Sequence, residues 1–170
     1  TGSIFGDENT TKVFDSEFVF FGPIAFDPGL LLGNLLINYV SWEGKDNSSE
    51  EVRDYRQYLL RTIEAVHHQF ERKFKGNWEQ DAREITAHLP GFRQQYLRSI
   101  FVDMVGYAGI VMIRRVHGLA HNIDVDGISD LKRRRDAQIE ILELGEQLLM
   151  NRESFTNIDA VTEFVKARLY

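Results

Sequence analysis

Asp15 and Glu17 stand two residues apart in the run Phe14-Asp15-Ser16-Glu17-Phe18. On an extended strand, side chains at i and i+2 leave the same face, so these two carboxylates converge on one point. Ionised together with no cation between them, each raises the pKa of the other. A divalent cation removes that conflict. Mg²⁺ suits the pair because it is a hard ion that takes one or two protein carboxylates and completes its shell with water and substrate phosphate. The competing reading of the same spacing is an exposed acidic strand end. Phe14, Phe18, Val19, Phe20 and Phe21 weigh toward the cation, since unpaired carboxylates in an apolar setting are costly. Asp27 precedes Pro28-Gly29 and reads as a helix cap or a loop tie, with Gly22-Pro23 fixing a turn between the two groups.

A second set of chemically able residues lies between Asp103 and His121. At about 100° per residue, Asp103, Tyr107, Ile110, Arg114, His117 and His121 share one narrow helical arc. Arg115 falls a quarter turn or more away. Arg114 offers a fork of donors suited to phosphoryl oxygens; its competing role is an ion pair with Asp103 or another carboxylate. His117 and His121 have the i,i+4 spacing of metal ligands. With no Glu at the intervening position of an H-E-x-x-H motif and no thiols, they read as hydrogen-bonding histidines. Gly106 and Gly109 flank Ala108 and leave an adjoining face with little bulk. A glycine inside a helix costs about 1 kcal/mol against alanine, which close backbone packing or ligand approach would offset. His67-His68 are assigned only surface or boundary packing.

The elements that must position these groups are mostly helical. Ile4-Phe5 and Lys12-Val13-Phe14 flank a turn of Gly6 to Thr10 and predict a hairpin, which is marginal alone and needs cover. Leu30 to Val40 reads as an apolar helix carrying Asn34 and Asn38. Ser48 and Glu51 have capping-box spacing. Val52, Tyr55, Leu59, Ile63, Val66 and Phe70 then give an amphipathic face running to about Phe74. Gly76-Asn77 is expected to stop that helix, and Trp78 to His88 to form a shorter one before Pro90. A long helix is predicted from Phe92 to Ala120. Ser129 is expected to cap the next, through Leu131, Ala137, Ile141, Leu144 and Leu148, and Thr156 or Asn157 the last, through Val161, Phe164 and Val165. The fold class is therefore mainly α with a short β-hairpin at the amino end, in one domain over 1–170.

Bulk composition narrows the function classes. A length of 170 residues with 43% apolar content supports one substantial core. No run approaches 18 consecutive apolar residues, which speaks against a membrane span. The absence of Cys excludes disulfides and thiolate metal sites and is compatible with a cytoplasmic location. A net charge of −6 argues against nucleic acid as a partner. The one basic run, Lys132 to Arg135, is followed by Asp136 and Glu140 and reads as a solvated helix face.

Taken together, several segments resemble the carboxy-terminal lobe of the 5-methylthioribose kinase family, in the broad group of aminoglycoside and choline kinase-like enzymes. They are Thr1-Gly2-Ser3, Asp15-Ser16-Glu17-Phe18, Phe21-Gly22-Pro23, Phe26-Asp27, Gly33-Asn34-Leu35-Leu36, Met112-Ile113-Arg114-Arg115 and Gly118-Leu119-Ala120-His121. They occur in family order over essentially the whole chain.

The resemblance implies the C-terminal lobe of a protein-kinase-like fold. In that family the D-x-E pair replaces the Asp-Phe-Gly magnesium motif of protein kinases, so Asp15 and Glu17 would coordinate Mg²⁺-ATP. Arg114 and Arg115 would lie near the thioribose and the transferring phosphoryl group, with Arg114 the direct contact by periodicity. Asp27 would be structural. The implied reaction is ATP-dependent phosphorylation of the 1-hydroxyl of 5-methylthioribose in methionine salvage, by a cytoplasmic enzyme with a homodimer among its assemblies.

The departure from the family is that a nucleotide-binding lobe, a hinge and a catalytic loop carrying the base are expected ahead of Thr1. The chain then reads as a lobe fragment, inactive alone and in need of the N-terminal kinase lobe. Two alternatives stay open: a kinase of the same fold acting on another small alcohol such as homoserine or choline, and a non-catalytic helical interaction domain. A cationic substrate would ask for an acidic or aromatic pocket, whereas this chain offers Arg114 and Arg115.

Overall fold

The computed structural model describes residues 4–13, 21–45 and 49–169. Strands β1 (Ile4–Gly6) and β2 (Thr11–Val13) pair antiparallel, with Ile4 opposite Val13 and Gly6 opposite Thr11. Asp7 closes the turn between them by accepting the Asn9 and Thr10 amides at 2.7 Å each. Those bonds hold its carboxyl below the ordinary aspartate pKa.

Six helices follow among the described residues, and the domain is mainly helical with a hairpin at its amino end, as expected of a protein-kinase-like C-terminal lobe. Helix α1 (Phe26–Lys45) starts earlier and ends later than the Leu30–Val40 core of the pattern. Asp27 consequently sits inside the first turn rather than ahead of it, exposed and favourably placed against the helix dipole.

Helix α2 (Glu50–Asp81) is capped by Ser49, whose side chain accepts the Val52 amide at 3.2 Å, one residue later than the expected Ser48 cap. It also runs straight through Gly76-Asn77. A side chain at Gly76 would meet nothing within 4 Å, so the residue lies on open surface, and one unfavourable propensity does not end a helix that tertiary packing continues to hold. That packing is aromatic. Trp78 lies 5.7 Å from Phe74 and 5.5 Å from Tyr96, and its indole N–H donates to the Ala87 carbonyl. Trp78 thus belongs to α2, and the separate helix expected from Trp78 to His88 is reduced to a single 3₁₀ turn, Ile85–His88.

Helix α3 (Phe92–His117) begins at Gly91, whose φ of 81° suits glycine. It stops three residues short of the expected Ala120. Helices α4 (Ile123–Asp126), α5 (Leu131–Met150) and α6 (Ile158–Leu169) complete the domain. Asp130, not Ser129, caps α5 by accepting the Arg133 amide at 2.9 Å. Asn157 caps α6 by accepting the Ala160 amide at 2.8 Å.

The core is built around α3. On one side it meets α1: a Cβ on Gly29 would stand 2.8 Å from the Met104 carbonyl, and one on Gly33 2.8 Å from that of Ala108. Residue numbers rise together along this contact, so α1 and α3 run parallel. On another side Gly109 meets Gly145 of α5, with Gly106 against Arg152, and here the order is antiparallel. Leu36, Ile37, Val105, Met112, Ile141, Leu144 and Leu148 fill the space between these helices. Among the described residues α3 is the one helix long and apolar enough to cross a membrane, but half of its apolar stretch is buried inside the fold. Packing on two sides accounts for its composition.

Candidate functional site

The α1–α3 contact places the candidate residues. Phe26 at the start of α1 meets Tyr107 edge to face, with ring centroids 5.4 Å apart. Arg114 lies two turns further along α3, about 10 Å along its axis. Asp103, Ile110, Arg114 and His117 are exposed and Tyr107 is half-buried, so these five share one exposed face of α3. His121 leaves it, because α3 ends at His117.

The cause of that ending is local. The Gly118 N–H donates to the Arg114 carbonyl at 2.7 Å, and a Cβ at Gly118 would stand 2.5 Å from the same oxygen. Only a glycine closes the helix here without displacing the backbone that carries Arg114.

The two adjacent arginines have different surroundings. Arg114 is exposed and makes no ion pair among the described residues, so the expected alternative of an internal pair with Asp103 is not formed. Arg115 is half-buried, and its Nη1 donates to the Ala120 carbonyl at 3.0 Å. It ties the segment after α3 back onto the helix.

A second tie joins that segment to α1. Asn122 reaches Asn34 at 3.5 Å, while its own Oδ1 accepts the Asp124 amide at 2.8 Å and caps α4. Asn34 also donates to the Leu30 carbonyl at 2.7 Å. Asn122 is absent from the sequence-derived candidates, although an Asn one residue before Ile123-Asp124 is a legible cap signal.

Asp15 and Glu17, and the expected convergence of their carboxylates, lie outside the described residues. So does Thr1-Gly2-Ser3. The chemistry of the Asp15–Glu17 donor set, two hard carboxylates, fits Mg²⁺. Among the described residues, the group with metal-ligand spacing is His67, His68 and Glu71 on α2, not His117 and His121.

Comparison with known proteins gives these positions a context. No family model matches the chain. A methylthioribose kinase of Bacillus velezensis is 38% identical over 169 residues, covering 99% of this chain and 40% of that protein. One from Yersinia enterocolitica is 36% identical over 94% of the chain and 40% of its own length. Methylthioribose kinase 1 of Oryza sativa subsp. japonica is 32% identical over 98% of the chain and 41% of its own length. The chain therefore spans about 40% of the curated relatives it matches. Matched along nearly all of its residues by bacterial and plant proteins alike, this region belongs to the methylthioribose kinase family.

Proposed function

We propose that the region is the helical lobe of an ATP-dependent kinase that moves the γ-phosphoryl group to the 1-hydroxyl of 5-methylthioribose, releasing ADP and the hydroxyl proton. The match along 99% of the chain to a methylthioribose kinase carries this reading. Residues 1–170 act as one lobe in it, and the nucleotide-binding lobe and catalytic loop are assigned to sequence outside this chain. The same reading puts the protein in methionine salvage.

In this reading Asp15 and Glu17 hold Mg²⁺, which when bound neutralises polyphosphate charge. Arg114 holds oxygens of the transferring group. Its exposure and its lack of an ion pair among the described residues support that role, because a guanidinium already spent on a carboxylate would have to be released first. Its value rises when the closed site excludes bulk water. Arg115 supports it from behind, by fixing the segment 118–122 that bounds the end of α3.

The test is steady-state kinetics of the intact protein that carries this chain, with Mg²⁺-ATP and 5-methylthioribose and the phosphorylated product resolved. Arg114→Lys keeps the charge and loses the fork, and is expected to lower kcat with little change in melting temperature. Lys132→Ala is expected to leave both unchanged. Full kcat and affinity in Arg114→Lys would remove the phosphoryl-contact role. Failure of the intact protein to phosphorylate 5-methylthioribose while phosphorylating homoserine or choline would replace the substrate. The 170-residue chain by itself is expected to make no product.

A further inference from the structure

Away from the kinase residues, α2 and α6 bring four potential metal ligands together. His67, His68 and Glu71 each offer one ligating atom, and these atoms all lie within 4.8 Å of one another. Helical geometry explains the convergence: Glu71 is i+4 from His67 and i+3 from His68, and both spacings make neighbours on a helix surface. A fourth donor comes from the first turn of α6, where Asp159 Oδ1 lies 3.3 Å from His68 Nε2.

Tetrahedral sites with bonds of about 2.0–2.2 Å hold their donors roughly 3.4 Å apart. The His68–Asp159 pair is already at that spacing, and the three α2 donors, within 4.8 Å of one another, must close by up to about 1.4 Å to reach it. One ring is well fixed: His67 is half-buried and packs edge to face on Phe101, centroids 5.3 Å apart. Its Nδ1 is buried with no hydrogen-bond partner among the described residues. Glu71 is shared with Lys75 at 2.7 Å, so an incoming cation competes with that ammonium. His68 and Asp159 are exposed, which leaves an ion a path in from solvent.

Two imidazoles with carboxylates and no thiolate select borderline first-row ions such as Zn²⁺, Ni²⁺ or Cu²⁺ over Mg²⁺ or Ca²⁺. We propose that His67, His68 and Glu71 of α2, with Asp159 of α6, form a site for a divalent transition ion that cross-links the two helices. The site is independent of the kinase reading and differs from it in ligand chemistry, since Asp15 and Glu17 offer oxygen alone.

The intact protein is titrated with Cu²⁺ and followed by electron paramagnetic resonance, and with Zn²⁺ and followed by calorimetry and thermal melts. One equivalent of Cu²⁺ is expected to show nitrogen splitting from two imidazoles. That signal should vanish in the His67→Gln, His68→Gln double variant and persist in the His117→Gln, His121→Gln double variant. Zn²⁺ should raise the melting temperature, as any ligand specific to the folded state does. Asp159→Asn should weaken Zn²⁺ binding about tenfold or more, a loss already typical of groups that merely orient a ligand. Lys75→Met should tighten it by freeing Glu71, an effect that a purely structural His68–Asp159 contact would not produce. Nitrogen splitting that survives loss of His67 and His68 would overturn the site. Unchanged Zn²⁺ stabilisation in Asp159→Asn would overturn the cross-link. Because Cu²⁺ coordination is read directly, a variant with altered melting still reports on the ligands.

Discussion

Gly109 and Gly145 set the distance between α3 and α5: a methyl carbon on Gly109 would lie 2.4 Å from the Gly145 carbonyl oxygen. Gly33 does the same for α1, where an added Cβ would stand 2.1 Å from Val111 Cγ1. Helix α3 is thus held backbone to backbone on two sides, and its exposed stripe, Arg114 included, is the side left over.

Gly109→Ala should therefore destabilise the protein by about 1–3 kcal/mol, the usual cost of overpacking where backbone must move. Gly76→Ala, on open helix surface, should stabilise by up to about 1 kcal/mol through helix propensity alone. Urea midpoints of the two variants measure both. Equal and small effects would mean that the α3–α5 approach is looser than described.

Ser49→Ala removes the side-chain oxygen that receives the Val52 amide. A loss of about 1 kcal/mol is expected, with faster hydrogen exchange at Val52 than at Leu59 in the middle of α2. Unchanged exchange at Val52 would show that another group caps the helix.

Asp130 gives α5 a pH-dependent start. The Arg133 amide, foremost, holds its carboxyl below the usual value of 3.8. A lowered folded pKa means that the unfolded chain binds the proton more tightly. The cap's contribution is therefore complete above the unfolded pKa and is lost as pH falls through the folded one. Protection of the Arg133 amide should decline below about pH 4, the unfolded aspartate range, in wild type, and should be absent at all pH values in Asp130→Ala. A wild-type profile flat down to pH 2 would contradict the cap.

Arg114 and Arg115 should separate by assay. Arg115→Ala removes the bond to the Ala120 carbonyl and should raise hydrogen exchange across residues 118–122. Arg114→Ala should leave that exchange unchanged. Equal exchange in both variants would mean that Arg115 does not hold the segment.

Much of the fold was legible in residue order because it rests on local physics. The amphipathic run from Val52 to Phe70, the hairpin around Asp7, a cap at Thr156 or Asn157 and the opening of α3 at Phe92 follow from periodicity, turn chemistry and capping, which neighbours a few residues away satisfy. The arc linking Asp103, Tyr107, Arg114 and His117 was likewise fixed by helical geometry. Tertiary structure decided the rest. Gly76 looks like a stop until Trp78 is seen packed on Tyr96 from α3, a contact 18 residues away in sequence. Whether Gly109 served packing or a ligand depended on Gly145, and whether His68 had a partner depended on Asp159, 91 residues on. Such pairings arise only when distant helices dock, so spacing along the chain carries no record of them.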